Sequence, residues 1–128
     1  MKLLLDTHAV IWASDDDRRL GPSAREALRE CAHGDAVISD ISLLEIAMLV
    51  HKERLVINVP LKRYLLNVQN HYPLLSIEAQ VAAEVYALSL PQADPFDRVI
   101  VATARYHSLP LITRDQPITQ SNLVEVIW

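Results

Sequence analysis

Short apolar runs alternate along the chain with stripes of helical period. Leu3-Leu4-Leu5 is stopped by Asp6, as in a strand buried on both faces. A short helix through Val10 to Trp12 follows, and Asp15-Asp16-Asp17-Arg18-Arg19 reads as a solvated loop. Pro22 and Ser23 open a helix with Ala24, Ala27, Leu28 and Cys31 at i, i+3, i+4 and i+7, closed by Gly34. Ala36-Val37-Ile38 is the second strand, and Ser39 or Asp40 caps a strongly apolar helix running to about His51. Leu61, Leu65 and Val68 mark a helix that ends near Pro73, before a brief strand at Leu74 and Leu75. Ser76 then caps a helix with Ile77, Val81, Val85 and Leu88 on one face. Asp94-Pro95 starts a helix to about Tyr106, Leu111 and Ile112 form a strand, and Val124 to Ile127 form the last one.

Strands alternating with helices predict an α/β fold, a mainly parallel central sheet with helices on both faces. In such sheets ligands bind outside the carboxyl ends of the strands. The 128 residues contain no repeat and no linker, which predicts a single domain over 1–128.

Composition narrows the chemistry. Hydrophobic residues at 51% and charged residues at 22% are the balance of an ordinary globular protein. The single cysteine, Cys31, excludes a disulfide framework and a cysteine-built zinc site. No apolar run reaches the length of about 18 residues that a membrane span needs, so no membrane role and a cytoplasmic setting are expected. The net charge of −4 runs against a nucleic-acid partner, which ordinarily meets a basic surface. Acids gathered around cations reconcile the two, because the metal supplies the local positive charge.

Asp6 ends the first strand, and Asp115 follows the Leu111 strand in a Thr-Arg-Asp-Gln-Pro turn. Asp94 precedes Pro95 as a helix cap, with Asp97 in the first turn of that helix. Each has an adequate structural explanation by itself: a cap, a turn, or a favourable dipole. Glu45 has none. It is the only charged residue from Ile41 to Val50, so its carboxylate needs either an ion pair, with Lys2, Arg98 or Arg114 as possible partners, or a metal. Together the acids can converge on one edge of a parallel sheet. Oxygen-only ligands select hard cations such as Mg²⁺ or Mn²⁺, which serve phosphodiester hydrolysis.

The remaining polar residues carry less. His33, His51, His71 and His107 fall in or just past the last turns of predicted helices, where the dipole favours them. His8 lies two residues beyond Asp6 and is a weak metal candidate; Cys31, Trp12, Phe96 and Trp128 read as packing. Arg98, Arg114, Lys52 and Arg54 are possible phosphate contacts, with surface solubility as the plainer role for each.

Four blocks now stand in order: Leu4-Leu5-Asp6-Thr7-His8-Ala9 with Trp12, Ser42-Leu43-Leu44-Glu45-Ile46-Ala47, Asp94-Pro95-Phe96-Asp97-Arg98, and Thr113-Arg114-Asp115. This pattern resembles the PIN domain, and within it the VapC toxins of toxin–antitoxin pairs. The resemblance implies a three-layer α/β/α fold and a Mg²⁺- or Mn²⁺-dependent endoribonuclease. It further implies an RNA substrate, a VapB-type antitoxin that blocks activity, and a homodimer. By position, Asp6, Glu45 and Asp97 match the family's core acids and Asp115 a more variable fourth. Thr113 matches a supporting hydroxyl, and Asp94 an acid near the site. Two positions depart from the pattern: Gln92-Ala93 stand where many relatives have a His or Arg, and Leu49 where many have a Lys.

Other readings are open at this point. A phosphoacceptor signalling domain needs a late lysine, and none follows Lys62. A haloacid-dehalogenase-like phosphatase needs a second aspartate at position 8, which is His8. A PIN-fold nuclease outside any toxin–antitoxin pair, and a catalytically idle interaction module, are the remaining alternatives.

Overall fold

In a computed structural model that describes all of residues 1–128, the chain alternates strands and helices throughout. The strands are β1 (Leu3–Leu5), β2 (Ala36–Ser39), β3 (Leu74–Leu75), β4 (Leu111–Ile112) and β5 (Val126–Ile127). The helices are α1 (Thr7–Ser14), α2 (Pro22–Glu30), α3 (Ile41–His51), α4 (Leu61–His71), α5 (Ala79–Val85), α6 (Pro95–His107) and α7 (Gln116–Ser121). The strands form one sheet in the order β3-β2-β1-β4-β5, with every neighbouring pair parallel.

Register divides the core in two. Leu4 lies beside Val37 and Leu111, and Leu5 beside Ile38 and Ile112. Successive strand residues point to opposite faces, so the first row packs with Ile100, Val101, Ala104 and Ile118 from α6 and α7. The second row packs with Ala9, Val10, Ile46 and Val68 from α1, α3 and α4. Each such buried side chain contributes about 1.5–3 kcal/mol relative to exposure. α5 lies on α6 through Val81, Val85, Val99 and Ala102. The result is the expected three-layer α/β/α arrangement.

Chain direction reverses at β1, which leads outward to β2 and β3 on one side and to β4 and β5 on the other. The crevice at such a reversal, outside the carboxyl ends of the strands, is where ligands bind in open parallel sheets. Asp6 follows β1 directly, and Thr113-Arg114-Asp115 follow β4.

Several boundaries differ from the sequence reading. α2 stops at Glu30 with Cys31 already extended, so His33 lies beyond the helix and Gly34 (φ 89°) turns the chain into β2 instead of closing α2. The helix assigned to Ser76 begins at Ala79, leaving Ile77 and Leu88 outside it. The Asp40 side chain makes no capping bond to α3; the Ser39 hydroxyl accepts one from the Ile41 N–H at 3.2 Å. The last strand is Val126–Ile127 only, and the Asp115 turn opens a helix, α7, that periodicity had not revealed. With only two glycines in the chain, left-handed positions fall to Asp16, Glu53, Ser108 and Asn122. Gly21 is needed for a different reason: a Cβ there would lie 2.6 Å from the Trp128 backbone.

Candidate active site

Three helices begin at the same crevice, each capped by an aspartate. Asp6 accepts a hydrogen bond from the Ala9 N–H, Asp94 from the Asp97 N–H and Asp115 from the Ile118 N–H, each at 2.8 Å. The caps are local chemistry that the sequence dictates. Their convergence is tertiary, because β1, the α5–α6 connection and β4 deliver them to one place. Partial positive charge at the helix starts offsets some of the carboxylate repulsion.

Glu45 reaches the crevice from α3. Ser42, Glu45, Ile46 and Leu49 form the buried stripe of that helix, whereas Leu44 is 59% exposed. The helix is therefore buried on one face and not all round as its composition suggests. Ser42 and Thr7 share a buried hydrogen bond of 3.0 Å that ties α3 to α1. Glu45, one turn beyond Ser42, is thereby turned inward and is 6% exposed. It enters no ion pair: the four in the molecule join Met1 to Asp35, Arg19 to Asp17, Arg25 to Asp16 and Arg29 to Glu26. The ion-pair alternative for Glu45 is thus not realised.

Asp6, Glu45, Asp94, Asp97 and Asp115 line one cavity of about 420 Å³. Burial raises the pKa of Asp6 and of Glu45, and neighbouring acids push the same way. Asp97 rises to about 7 through burial, then Asp94, Asp115, Glu45 and Asp6 in turn. These are the marks of uncompensated like charges. The acids line walls and do not close on one point: no three His, Cys, Asp or Glu side chains are drawn into a ready ligand set. Asp6 has both oxygens engaged, one by Ala9 and the other by the buried Thr113 hydroxyl, which also accepts from the Asp115 N–H at 3.1 Å. A carboxylate-only donor set with no neutralising ion pair fits a hard divalent cation that keeps part of its water shell.

Arg98 is turned away from the cavity. Its guanidinium donates to the carbonyls of Val85 (3.1 Å), Leu88 (3.3 Å) and Leu90 (2.7 Å). Three of its five donors are taken up by the backbone, and it does not line the cavity, which corrects its reading as a supporting phosphate contact. Lys52 and Arg54 are exposed in the turn after α3 and do not line the cavity. His8, Trp12 and Arg114 do line it. Trp12, which the sequence assigns to packing, also forms part of the cavity wall. The spacing of His8 and Trp12, one turn apart on a helix capped by Asp6, was the available signal that both sit near the site.

The comparisons with known proteins agree with this geometry. A sequence profile of the PIN domain matches residues 3–120. The chain belongs to the PIN-domain family. It is 36% identical over 117 residues to ribonuclease VapC22 of Mycobacterium tuberculosis, covering 89% of this chain and 87% of that one. Among solved structures, a toxin–antitoxin complex from Klebsiella pneumoniae is similar with a TM-score of 0.68 and 25% identity, covering 96% of this chain and 95% of that one. The VapBC2 structure from Rickettsia felis, bound to a promoter DNA fragment, has a TM-score of 0.71 at 18% identity over 98% and 97% of the two chains, which is a likeness of fold. The chain is thus a VapC-type PIN-domain ribonuclease, and that family depends on divalent metal. No helix is long and apolar enough to cross a membrane.

Proposed function

We propose that this chain is the toxin of a toxin–antitoxin pair, an endoribonuclease that uses Mg²⁺ or Mn²⁺ held by Asp6, Asp97, Glu45 and Asp115. The observation that carries the reading is the shared cavity of five carboxylates, none of them in an ion pair, at the point where the strand order of a parallel sheet reverses. Residues 1–128 act in it as one PIN-like unit. A VapB-type antitoxin is the expected inhibitor, since the similar structures are a toxin–antitoxin complex and a VapBC2 assembly, and a homodimer is the expected assembly.

When bound, the cation acidifies a water and neutralises charge on the phosphoryl oxygens. Asp97, a carboxylate with no capping duty of its own set among four other acids in the cavity wall, is the principal ligand. Asp6 is the second, aimed by Ala9 and Thr113. Glu45 orients the attacking water from the buried face of α3 and takes up its proton. Asp115 completes the set, and Asp94 shapes the wall through its cap on α6.

The test is Asp97→Asn assayed on RNA with Mg²⁺ or Mn²⁺. Cleavage is abolished while the circular dichroism spectrum is unchanged; cleavage at the wild-type rate would refute the assignment.

A further inference from the structure

Arg114 is a permanent cation in the wall of the acidic cavity, yet it pairs with none of the acids. Five other arginines are committed, Arg19, Arg25 and Arg29 to carboxylates and Arg98 and Arg105 to backbone carbonyls, and the uncommitted Arg18, Arg54 and Arg63 do not line this cavity. The Arg114 guanidinium instead lies 5.6 Å from the centre of the Trp12 ring. Its root is held on both sides, because Thr113 is tied to Asp6 and Asp115 caps α7. The indole beneath it is also held. Trp12 is 8% exposed, meets Trp128 edge-on at 5.7 Å and carries Arg19 at 5.1 Å, and Arg19 is itself bonded to Asp17 at 2.7 Å.

A guanidinium that lies over a ring and pairs with no acid keeps its N–H donors free. Its place over the indole sets Arg114 apart from Asp6, Asp97 and Asp115, with none of which it forms an ion pair. A negatively charged cavity repels a polyanion, and a fixed cation at its rim gives one phosphate a place to rest. We propose that Arg114, held on Trp12, binds the RNA phosphate that flanks the scissile one. Arg114 is a substrate-binding residue and Trp12 its positioning residue. The inference rests on the ribonuclease reading above.

The experiment compares wild type, Arg114→Ala, Arg114→Lys and Trp12→Phe. Binding of a short fluorescein-labelled single-stranded RNA is followed by anisotropy in EDTA over a range of salt. Mn²⁺ affinity and cleavage in Mn²⁺ are measured alongside. Arg114→Ala weakens RNA binding by roughly tenfold, the loss of a charge-assisted hydrogen bond. It also flattens the slope of log affinity against log salt by about 0.7, the contribution of one phosphate contact on a single strand. Mn²⁺ affinity stays at the wild-type value. Arg114→Lys and Trp12→Phe keep the salt slope and lose part of the affinity, since the charge remains but its fixed geometry does not. Wild-type affinity and slope in Arg114→Ala would overturn the proposal, as would an equal loss of Mn²⁺ affinity. If wild type neither binds nor cuts RNA, the ribonuclease reading falls first; if wild type cuts and Arg114→Ala matches it, only this inference falls.

Discussion

Asp97 and Thr113 show how one side chain serves the site at the expense of the fold, or serves both. Asp97 stands among four other acids and its pKa is raised to about 7 by burial and by them, so its charged form is opposed in the metal-free protein. Removing that charge without changing shape is stabilising. Asp97→Asn raises the stability of the metal-free protein at pH 8 by about 2–4 kcal/mol, about three pK units at about 1.4 kcal/mol each less the share that solvent screens. Urea midpoints measure this, and an unchanged or lower midpoint would contradict it. Thr113 works the other way. Its hydroxyl donates to Asp6 and accepts from the Asp115 N–H, and it is fully buried. Thr113→Val leaves both partners without it and costs about 1–3 kcal/mol, with a loss of activity larger than the loss of stability explains. Thr113→Ser restores most of both. Equal activity in Val and Ser variants would show that the hydroxyl does not aim Asp6.

Among the elements, the connection from α5 to α6 shows how a segment without regular structure is made firm enough to carry an acid. Residues 86–94 have few apolar anchors apart from Leu88 and Leu90. Arg98, one residue after Asp97, binds three carbonyls that border or belong to this connection. The guanidinium does this from two separate nitrogens held in one plane, a spread that the single nitrogen of a lysine lacks. Arg98→Ala therefore costs about 2–3 kcal/mol in stability, within the range for charged hydrogen bonds. It speeds amide exchange in residues 86–94 before the rest of the molecule. Uniform exchange across the chain would mean that Arg98 supports only the global fold.

At the scale of the molecule, the acid cluster links stability to pH and to metal. A carboxyl whose pKa is raised in the folded state retains its proton when the unfolded chain has released it. The folded metal-free protein therefore loses stability as pH rises from about 4 toward 7 through the titration of Asp97, with Asp6 and Glu45 acting in the same direction. Asp17, lowered to about 2 mainly by its hydrogen bonds with Arg19, acts in the opposite sense and only below about pH 4. Cation binding reverses the trend, because ligands must be deprotonated to bind. At pH 8, free Mn²⁺ a hundredfold above its Kd stabilises the fold by about 2.7 kcal/mol. The gain shrinks as pH falls below about 7. Thermal unfolding across pH, with and without Mn²⁺, checks both trends; a catalytically idle module shows no Mn²⁺ response.

The sequence by itself determined what depends on local period and composition. The apolar triplet before Asp6 and the stripe of α6 could form only the elements they form, and Asp94-Pro95 is a helix start wherever it lies. The four acidic blocks were legible too, since their order along the chain carried the family resemblance. Helix ends were less legible: α2 and α5 are short because tertiary packing, not propensity, decides where the last turns stop. α7 was hidden because six residues opened by an aspartate look like a turn. Only the tertiary structure decided which polar groups meet. Glu45 faces the acids because Ser42 grips Thr7, Arg98 is consumed by carbonyls, and Arg114 rests on an indole from the opposite end of the chain. The Glu45 and Arg114 outcomes depend on contacts between residues 35 to more than 100 positions apart, and the Arg98 contacts reach 8 to 13 positions back across an irregular connection, so a side chain's free valences cannot be read until its neighbours in space are in place.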